Sequence, residues 1–210
     1  MDSLAGYAVL AFGSLFAVLN PLATVPPFLA MTEANTALER RAMAKRACLI
    51  AAGVLLVFAT TGSRVLTFFG VTVPAFQIAG GLVLIRVAFE LLQGGQSALK
   101  VTVDERLEGV RKDDISITPL GVPILCGPAT ITAAILISSQ APTWFHTVVL
   151  VSTIMVVYII IFSTLYVTAD QIHRLGDIPI KISSRMMGLI LVGVSVQFVI
   201  DGIRATGLID

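Results

Sequence analysis

The sequence predicts an all-α membrane protein whose six transmembrane helices form two inverted-topology repeats of three helices each. Three observations carry this prediction. The chain is 56% hydrophobic and only 13% charged, with a mean hydropathy of +0.94, whereas a soluble domain carries about 25% charged residues. Six apolar segments reach the roughly 20 residues that a membrane helix needs. The first and the fourth are interrupted at points 107 positions apart, at Asn20-Pro21 and at Gly127-Pro128.

The six predicted segments follow one another with short connections, except for one longer polar stretch in the middle of the chain. They are Leu4 to Met31, Ala47 to Phe69, Pro74 to Gln93, Ile115 to Ser139, Trp144 to Ala169 and Arg185 to Ile203. The polar stretch divides the chain into a first repeat (1–95), a cytoplasmic linker (96–114) and a second repeat (115–210).

The interruptions are proline breaks within otherwise apolar segments. Proline removes a backbone donor and disfavours helical angles in the residue before it. Unpaired backbone groups are tolerated at membrane depth only inside protein or beside a water-filled cavity. Interrupted hydrophobic segments at corresponding places in two halves point to the binding site of a transporter.

The offset of 107 also aligns the third segment of each half. Gly81 then corresponds to Gly188, and Val87 to Val194. Because each half holds three helices, an odd number, the second half must enter the membrane upside down relative to the first.

Lysine and arginine fix the predicted orientation. They concentrate between segments one and two, three and four, and five and six, while the opposite side holds only Arg64 and Arg204. Loops rich in these residues are cytoplasmic. Both termini are therefore expected outside the cell.

The two breaks supply the candidate substrate-binding residues. Helix starts bind anions through free N–H groups and the helix dipole, and a half-helix beginning near Pro128 could hold the carboxylate of an amino acid. The amide of Asn20 offers both donors and an acceptor. The alternative interpretation is that these residues only satisfy the backbone of their own kinks. The candidates are Asn20, Pro21, Thr24, Gly127, Pro128, Thr130 and Thr132.

Charged residues inside the third segment form a second candidate set. Arg86 and Glu90 are four positions apart and share one helix face. Charges at membrane depth are costly and normally face the protein interior in pairs. The pair is interpreted either as a relay coupled to transport or as a structural ion pair. Gln197 takes the place of Glu90 in the second half.

Four stretches resemble the MarC family of bacterial inner-membrane proteins: LFAVLNPLATVPPFLAMT, AFQIAGGLVLIRVAFELLQG, PLGVPILCGPATITAAIL and MMGLILVGVSVQFVIDGI. The resemblance implies six spanning helices, relation to the LysE-type exporter superfamily and transport of small neutral amino acids. Two positions depart from the family pattern, with Arg86 in place of an apolar residue and Asp201 in place of Asn.

The sequence favours a secondary transporter over other classes of membrane protein. No GxxxxGK[ST], HExxH or GxSxG sequence occurs, which argues against direct use of ATP and against an enzyme. The net charge is only +1, so we expect no nucleic-acid partner. The two cysteines and two histidines are isolated in the sequence, so we expect no metal site, and we expect no cofactor. The expected partners are a small-molecule substrate and the lipid bilayer, with a homo-oligomer left open. An ion channel and a membrane protein without transport activity are the alternatives.

Overall fold

A computed structural model describes residues 3–32, 35–93, 121, 125–169 and 177–207 of the chain, and the regular elements in these ranges are helical. Four helices are long and apolar enough to cross a membrane by length and composition, and two apolar helices are shorter. The helices are α1 (Leu4–Leu19), α2 (Val25–Met31), α3 (Ala37–Phe68), α4 (Val73–Leu92), α5 (Pro128–Ser139), α6 (Trp144–Thr168) and α7 (Asp177–Ala205). Those that meet the spanning criteria are α3, α4, α6 and α7, and the shorter ones are α1 and α5.

The first predicted segment is divided into α1 and α2 by its Asn-Pro sequence. Asn20 ends α1 with left-handed angles, φ 38° and ψ 80°, a conformation that asparagine adopts more readily than most residues. Pro21 then has no N–H with which to continue the helix. The next two prolines lie in the first turn of α2, where proline costs no hydrogen bond.

Helix α3 begins ten positions earlier than the predicted second segment. Thr36 and Glu39 form a capping box: the Thr36 N–H donates to Glu39 Oε2 at 2.8 Å, and the Glu39 N–H donates to Thr36 Oγ1 at 3.4 Å. The basic residues that we assigned to a loop therefore lie within the first turns of a helix. The predicted loop was wrong here because hydropathy alone does not register a helix cap. These residues are Arg40, Arg41, Lys45 and Arg46.

Two other predicted segments differ from the helices found. Helix α7 starts at Asp177 rather than Arg185. The part of the fourth segment before Gly127 lies mostly outside the described residues, as does the predicted linker 96–114. Helix α5 itself begins at Pro128 and ends at Ser139, as the second half of that segment.

The described helices pack around a buried apolar core. Helix α4 packs along α7, α3 packs against α5 and α6, and α1 contacts α5, α6 and α7. The core includes Leu15 of α1, Phe28 of α2 and Leu55 of α3, none of them accessible to solvent. At the first break Asn20 and Pro21 are buried, whereas at the second Gly127 is half-buried and Pro128 is exposed.

Candidate functional site

Asn20 is completely buried at the first break and reaches across to α7. Its Nδ2 donates to Ser184 Oγ at 3.4 Å, and Ser183 Oγ donates to its Oδ1 at 3.5 Å. The Ala23 N–H also points to Oδ1 at 3.4 Å. All three bonds are longer than a typical side-chain hydrogen bond. The amide is therefore held weakly by three partners, and one of them belongs to its own kink.

Pro21 and Thr24 close the same break. Both are buried, and the Thr24 hydroxyl donates to the Pro21 carbonyl at 2.7 Å. This short local bond satisfies a carbonyl that the interrupted helix leaves without a partner. For Thr24 the geometry therefore favours a role in shaping the backbone.

At the second break, no side chain among the described residues caps the start of α5. Gly127 is the N-cap, with extended angles of φ −89° and ψ 173°, and Pro128 occupies the first turn. Gly127 is half-buried and Pro128 is exposed. The N–H groups of Ala129 and Thr130 lie in the first turn, where an α-helix has no acceptor of its own. A small anionic group can approach this helix start, since glycine adds no side chain in its way.

Thr130 is the one candidate whose side chain is buried and has no partner within the described part of the chain. It is 4% exposed, and its hydroxyl makes no hydrogen bond to any residue described. Its oxygen is not among the fully buried polar atoms that lack a partner in the described part of the chain, so a small group can reach it. Thr132 is different, because its methyl group packs where a Cβ on Gly80 would lie, 2.8 Å away. Thr130 is thus suited to a ligand, while Thr132 fills the contact between α5 and α4.

A hydrogen bond between α1 and α5 relates the depths of the two breaks. The Tyr7 hydroxyl donates to the Ile137 carbonyl at 3.0 Å. Asn20 follows Tyr7 by 13 positions and Gly127 precedes Ile137 by 10. At about 1.5 Å per residue, these distances are about 20 Å and 15 Å along the two helices. The distances of the two breaks from this contact, measured along their helices, therefore differ by about one helical turn.

Arg86 and Glu90 form an ion pair, but Arg86 does not face the bundle interior. Its Nε lies 3.5 Å from Glu90 Oε1, and the side chains are 85% and 30% exposed. The prediction of an inward-facing Arg86 was wrong, because other residues form the buried face of α4. These are Gln77, Gly80, Gly81, Leu84, Ala88 and Leu91. Gln197 is also exposed, and it donates to Asp201 on its own helix at 2.7 Å. These three residues do not join the two breaks.

Three residues around the breaks were missed in the sequence. Ser183 and Ser184 lie immediately before Arg185, where the predicted sixth segment begins. Tyr158, in the middle of α6, donates to the Leu125 carbonyl at 2.8 Å and so satisfies the backbone before the second break. A single tyrosine or serine in an apolar segment carries no signal of this kind, since only the fold brings it to a broken helix.

The described part of the chain holds no group of three His, Cys, Asp or Glu residues that could bind a metal ion. Cys48 and Cys126 are both free and buried.

Comparison with known proteins shows relatives over almost the whole length of the chain. The profile described as MarC family integral membrane protein matches residues 6–206. A UPF0056 membrane protein of Methanocaldococcus jannaschii is 36% identical over 198 residues, which cover 94% of this chain and 96% of the relative. The UPF0056 membrane protein YvbG of Bacillus subtilis is 34% identical over 199 residues, covering 94% of each chain. No solved structure matches. The chain therefore belongs to the MarC family of integral membrane proteins.

Proposed function

We propose that this membrane protein is a secondary transporter of small neutral amino acids, or of similarly small polar solutes, and that substrate binds between the two breaks. The observation that carries the proposal is the start of α5, which no described side chain caps. The first turn of α5 also holds the hydroxyl of Thr130, which has no partner among the described residues. Helix N–H groups and a hydroxyl together suit a carboxylate.

The first break supplies the complementary groups for an ammonium. The amide oxygen of Asn20 accepts only long hydrogen bonds, of 3.4 and 3.5 Å, and a substrate ammonium can replace them with shorter, charge-assisted ones. No acidic residue lies within either break. A second positive charge on the ligand would have no counter-charge there, which favours neutral amino acids over lysine or arginine.

We propose further that the six segments form two inverted repeats in the cytoplasmic membrane, with both termini outside. The α4–α7 interface supports this arrangement. On one side of it Gly81 lies against Ser195 and Val199 of α7. On the other side Gly188 lies against Ala88 and Leu92 of α4. Gly188 follows Gly81 by 107 positions, and Ser195 and Val199 follow Ala88 and Leu92 by the same number. This offset also relates the two breaks.

Counterflow of labelled glycine and alanine into liposomes that contain the purified protein tests the function. Gly127→Val places a branched side chain at the helix start and should abolish counterflow. Thr130→Val keeps the shape of the side chain, removes the hydroxyl, and should reduce counterflow about tenfold, the effect of losing one hydrogen bond to a charged group.

Matched controls separate the site from general damage. Gly53→Val introduces the same side chain at an exposed glycine of α3 with nothing within 4 Å. Thr60→Val removes an exposed hydroxyl that bonds only to backbone carbonyls of its own helix. Both should transport like the parent protein. If the Gly127→Val protein inserts at normal levels and retains full counterflow, substrate does not bind at the start of α5. Ion flux without counterflow of amino acids would indicate a channel instead of a transporter.

A further inference from the structure

Beyond the two breaks, a second polar cluster lies where α4, α5 and α7 meet, at the end of the bundle where α5 ends. Its centre is the half-buried carboxylate of Asp201. The Gln197 Nε2 donates to Asp201 Oδ1 at 2.7 Å, and the Gln140 Nε2 donates to Oδ2 at 3.3 Å. Helix α7 and the cap of α5 thus meet at one negative charge.

The charge of Asp201 is not neutralised by any cation in the described part of the chain. Its described partners are two neutral amides. Arg204 lies three positions further along α7, is exposed, and forms no ion pair among the described residues. The amide hydrogens orient the carboxylate but leave its negative charge in place, and each amide keeps its own oxygen free to accept.

Gln77 of α4 adds an amide without a partner in the described part of the chain. The residue is 6% exposed and makes no hydrogen bond to any described residue, and its amide atoms are not among the fully buried polar atoms that lack a partner there. The amide therefore stays within reach of a small ligand or water, which can supply the hydrogen bonds that the protein does not.

The packing of α4 against α7 places the backbone of Gln77 near that of Asp201. Gly80 and Gly81, three and four positions later, meet α5 and α7 respectively, so Gln77 lies on the face between these two helices. A Cβ on Gly202 would lie 3.1 Å from the Cβ of Gln77, which places Gln77 beside the residue that follows Asp201. Helical side chains lean towards the N-terminus of their helix, and α4 begins at this same end of the bundle.

We propose that Asp201, Gln77, Gln140 and Gln197 form a binding site for a compact monovalent cation, either a sodium ion or a primary ammonium group. The carboxylate of Asp201 and the amide oxygens of the three glutamines suit a hard cation and also accept from an ammonium. The single carboxylate balances one positive charge, whereas a divalent ion normally recruits more. Binding here does not require transport, so this proposal can fail or succeed independently of the proposed function.

The test is the thermal unfolding of the full-length protein in detergent as a function of added cation. Sodium chloride replaces choline chloride at constant ionic strength, and a parallel titration uses methylammonium chloride. A ligand that binds only the folded state raises Tm. We expect sodium, methylammonium or both to raise Tm in a saturable way, and choline, which is too large, to have no effect.

Substitutions locate the effect. Asp201→Asn keeps the shape of the side chain and removes its charge. Gln77→Leu leaves the charge of Asp201 in place and removes the Gln77 amide. Each should raise the half-saturating cation concentration at least about tenfold. Arg204→Gln removes the neighbouring positive charge and should leave this concentration unchanged or lower it.

The outcomes are distinct. A response to sodium alone identifies a metal-ion site, and a response to methylammonium alone identifies an ammonium site. The proposal is overturned if no cation raises Tm above the choline baseline, or if Asp201→Asn keeps the parental half-saturating concentration. Should Asp201→Asn fail to fold, an unchanged titration of Gln77→Leu overturns it equally.

Discussion

Gly81 and Gly188 make the same backbone contact from opposite sides of the interface between α4 and α7. A Cβ on Gly81 would lie 2.9 Å from the Ser195 carbonyl oxygen, and a Cβ on Gly188 would lie 2.9 Å from the Ala88 carbonyl oxygen. Real Cβ atoms do not approach backbone this closely. The two helices therefore pack at a distance that only glycine permits at these two positions.

Valine at either glycine should destabilise the protein. Because the atoms in the way are backbone, the helices must separate, and overpacking of this kind costs about 1–3 kcal/mol. The measurement is the free energy of unfolding in mixed micelles. Gly193→Val, on the same helix as Gly188 but with nothing within 4 Å, is the control and should change stability little. Equal stability of all three variants would mean that the helices are not in this close contact.

Replacement of Asn20 by glycine separates the role of its backbone in the break from the role of its side-chain amide in binding substrate. Glycine adopts φ 38° without strain, so Asn20→Gly should fold and keep the break while losing the amide. We expect its counterflow of alanine to fall while its unfolding temperature changes little. Asn20→Val, which resists the left-handed conformation, should lose both stability and counterflow. Full activity of the glycine variant would show that the amide serves only the kink.

Arg40 joins the ends of two helices. It is 3% exposed, and its Nε donates to the Thr32 carbonyl at 2.9 Å while Nη1 donates to the Ala169 carbonyl at 3.0 Å. Cations stabilise helix C-termini, and a hydrogen bond from a charged group contributes about 1.5–3 kcal/mol.

We therefore expect Arg40→Gln to lower the free energy of unfolding by about 3 kcal/mol. Arg40→Lys should recover little of this loss, because an ammonium cannot reproduce the two diverging donors of the guanidinium. Lys45→Gln, an exposed cation of the same helix, serves as the comparison. Similar unfolding curves for the Arg40 and Lys45 variants would contradict the structural role.

The predicted orientation can be tested by labelling introduced cysteines in intact cells. A cysteine placed within 96–114 should not react with an impermeant maleimide added outside, because that stretch is expected in the cytoplasm. A cysteine at Thr206, near the other end of the bundle, should react readily. The native Cys48 and Cys126 are 5% and 1% exposed and should give little background. Ready labelling within 96–114 would reverse the orientation.

Membership in a membrane family and the helical class follow from local properties of the sequence. Long apolar segments identify helices regardless of what they pack against, and the Asn20-Pro21 and Gly127-Pro128 sequences mark places where a helix cannot continue. Helix boundaries were less accurate where a cap extends a helix into polar sequence, as at Thr36 and Glu39 before α3.

The partners across the bundle were decided by the tertiary structure. Nothing in the sequence relates Asn20 to Ser184, 164 positions away, or Tyr158 to the Leu125 carbonyl. The direction of Arg86 was also beyond the sequence, because a helix face can be assigned to the interior only once its neighbours are known. Apolar composition favours transfer of a segment into lipid, and proline interrupts the helix at its own backbone. Both effects are local, and the sequence by itself therefore determined the apolar segments and their breaks. Which hydroxyl or amide satisfies each broken helix depends on distances between segments far apart in the chain, and only the packed structure decides those.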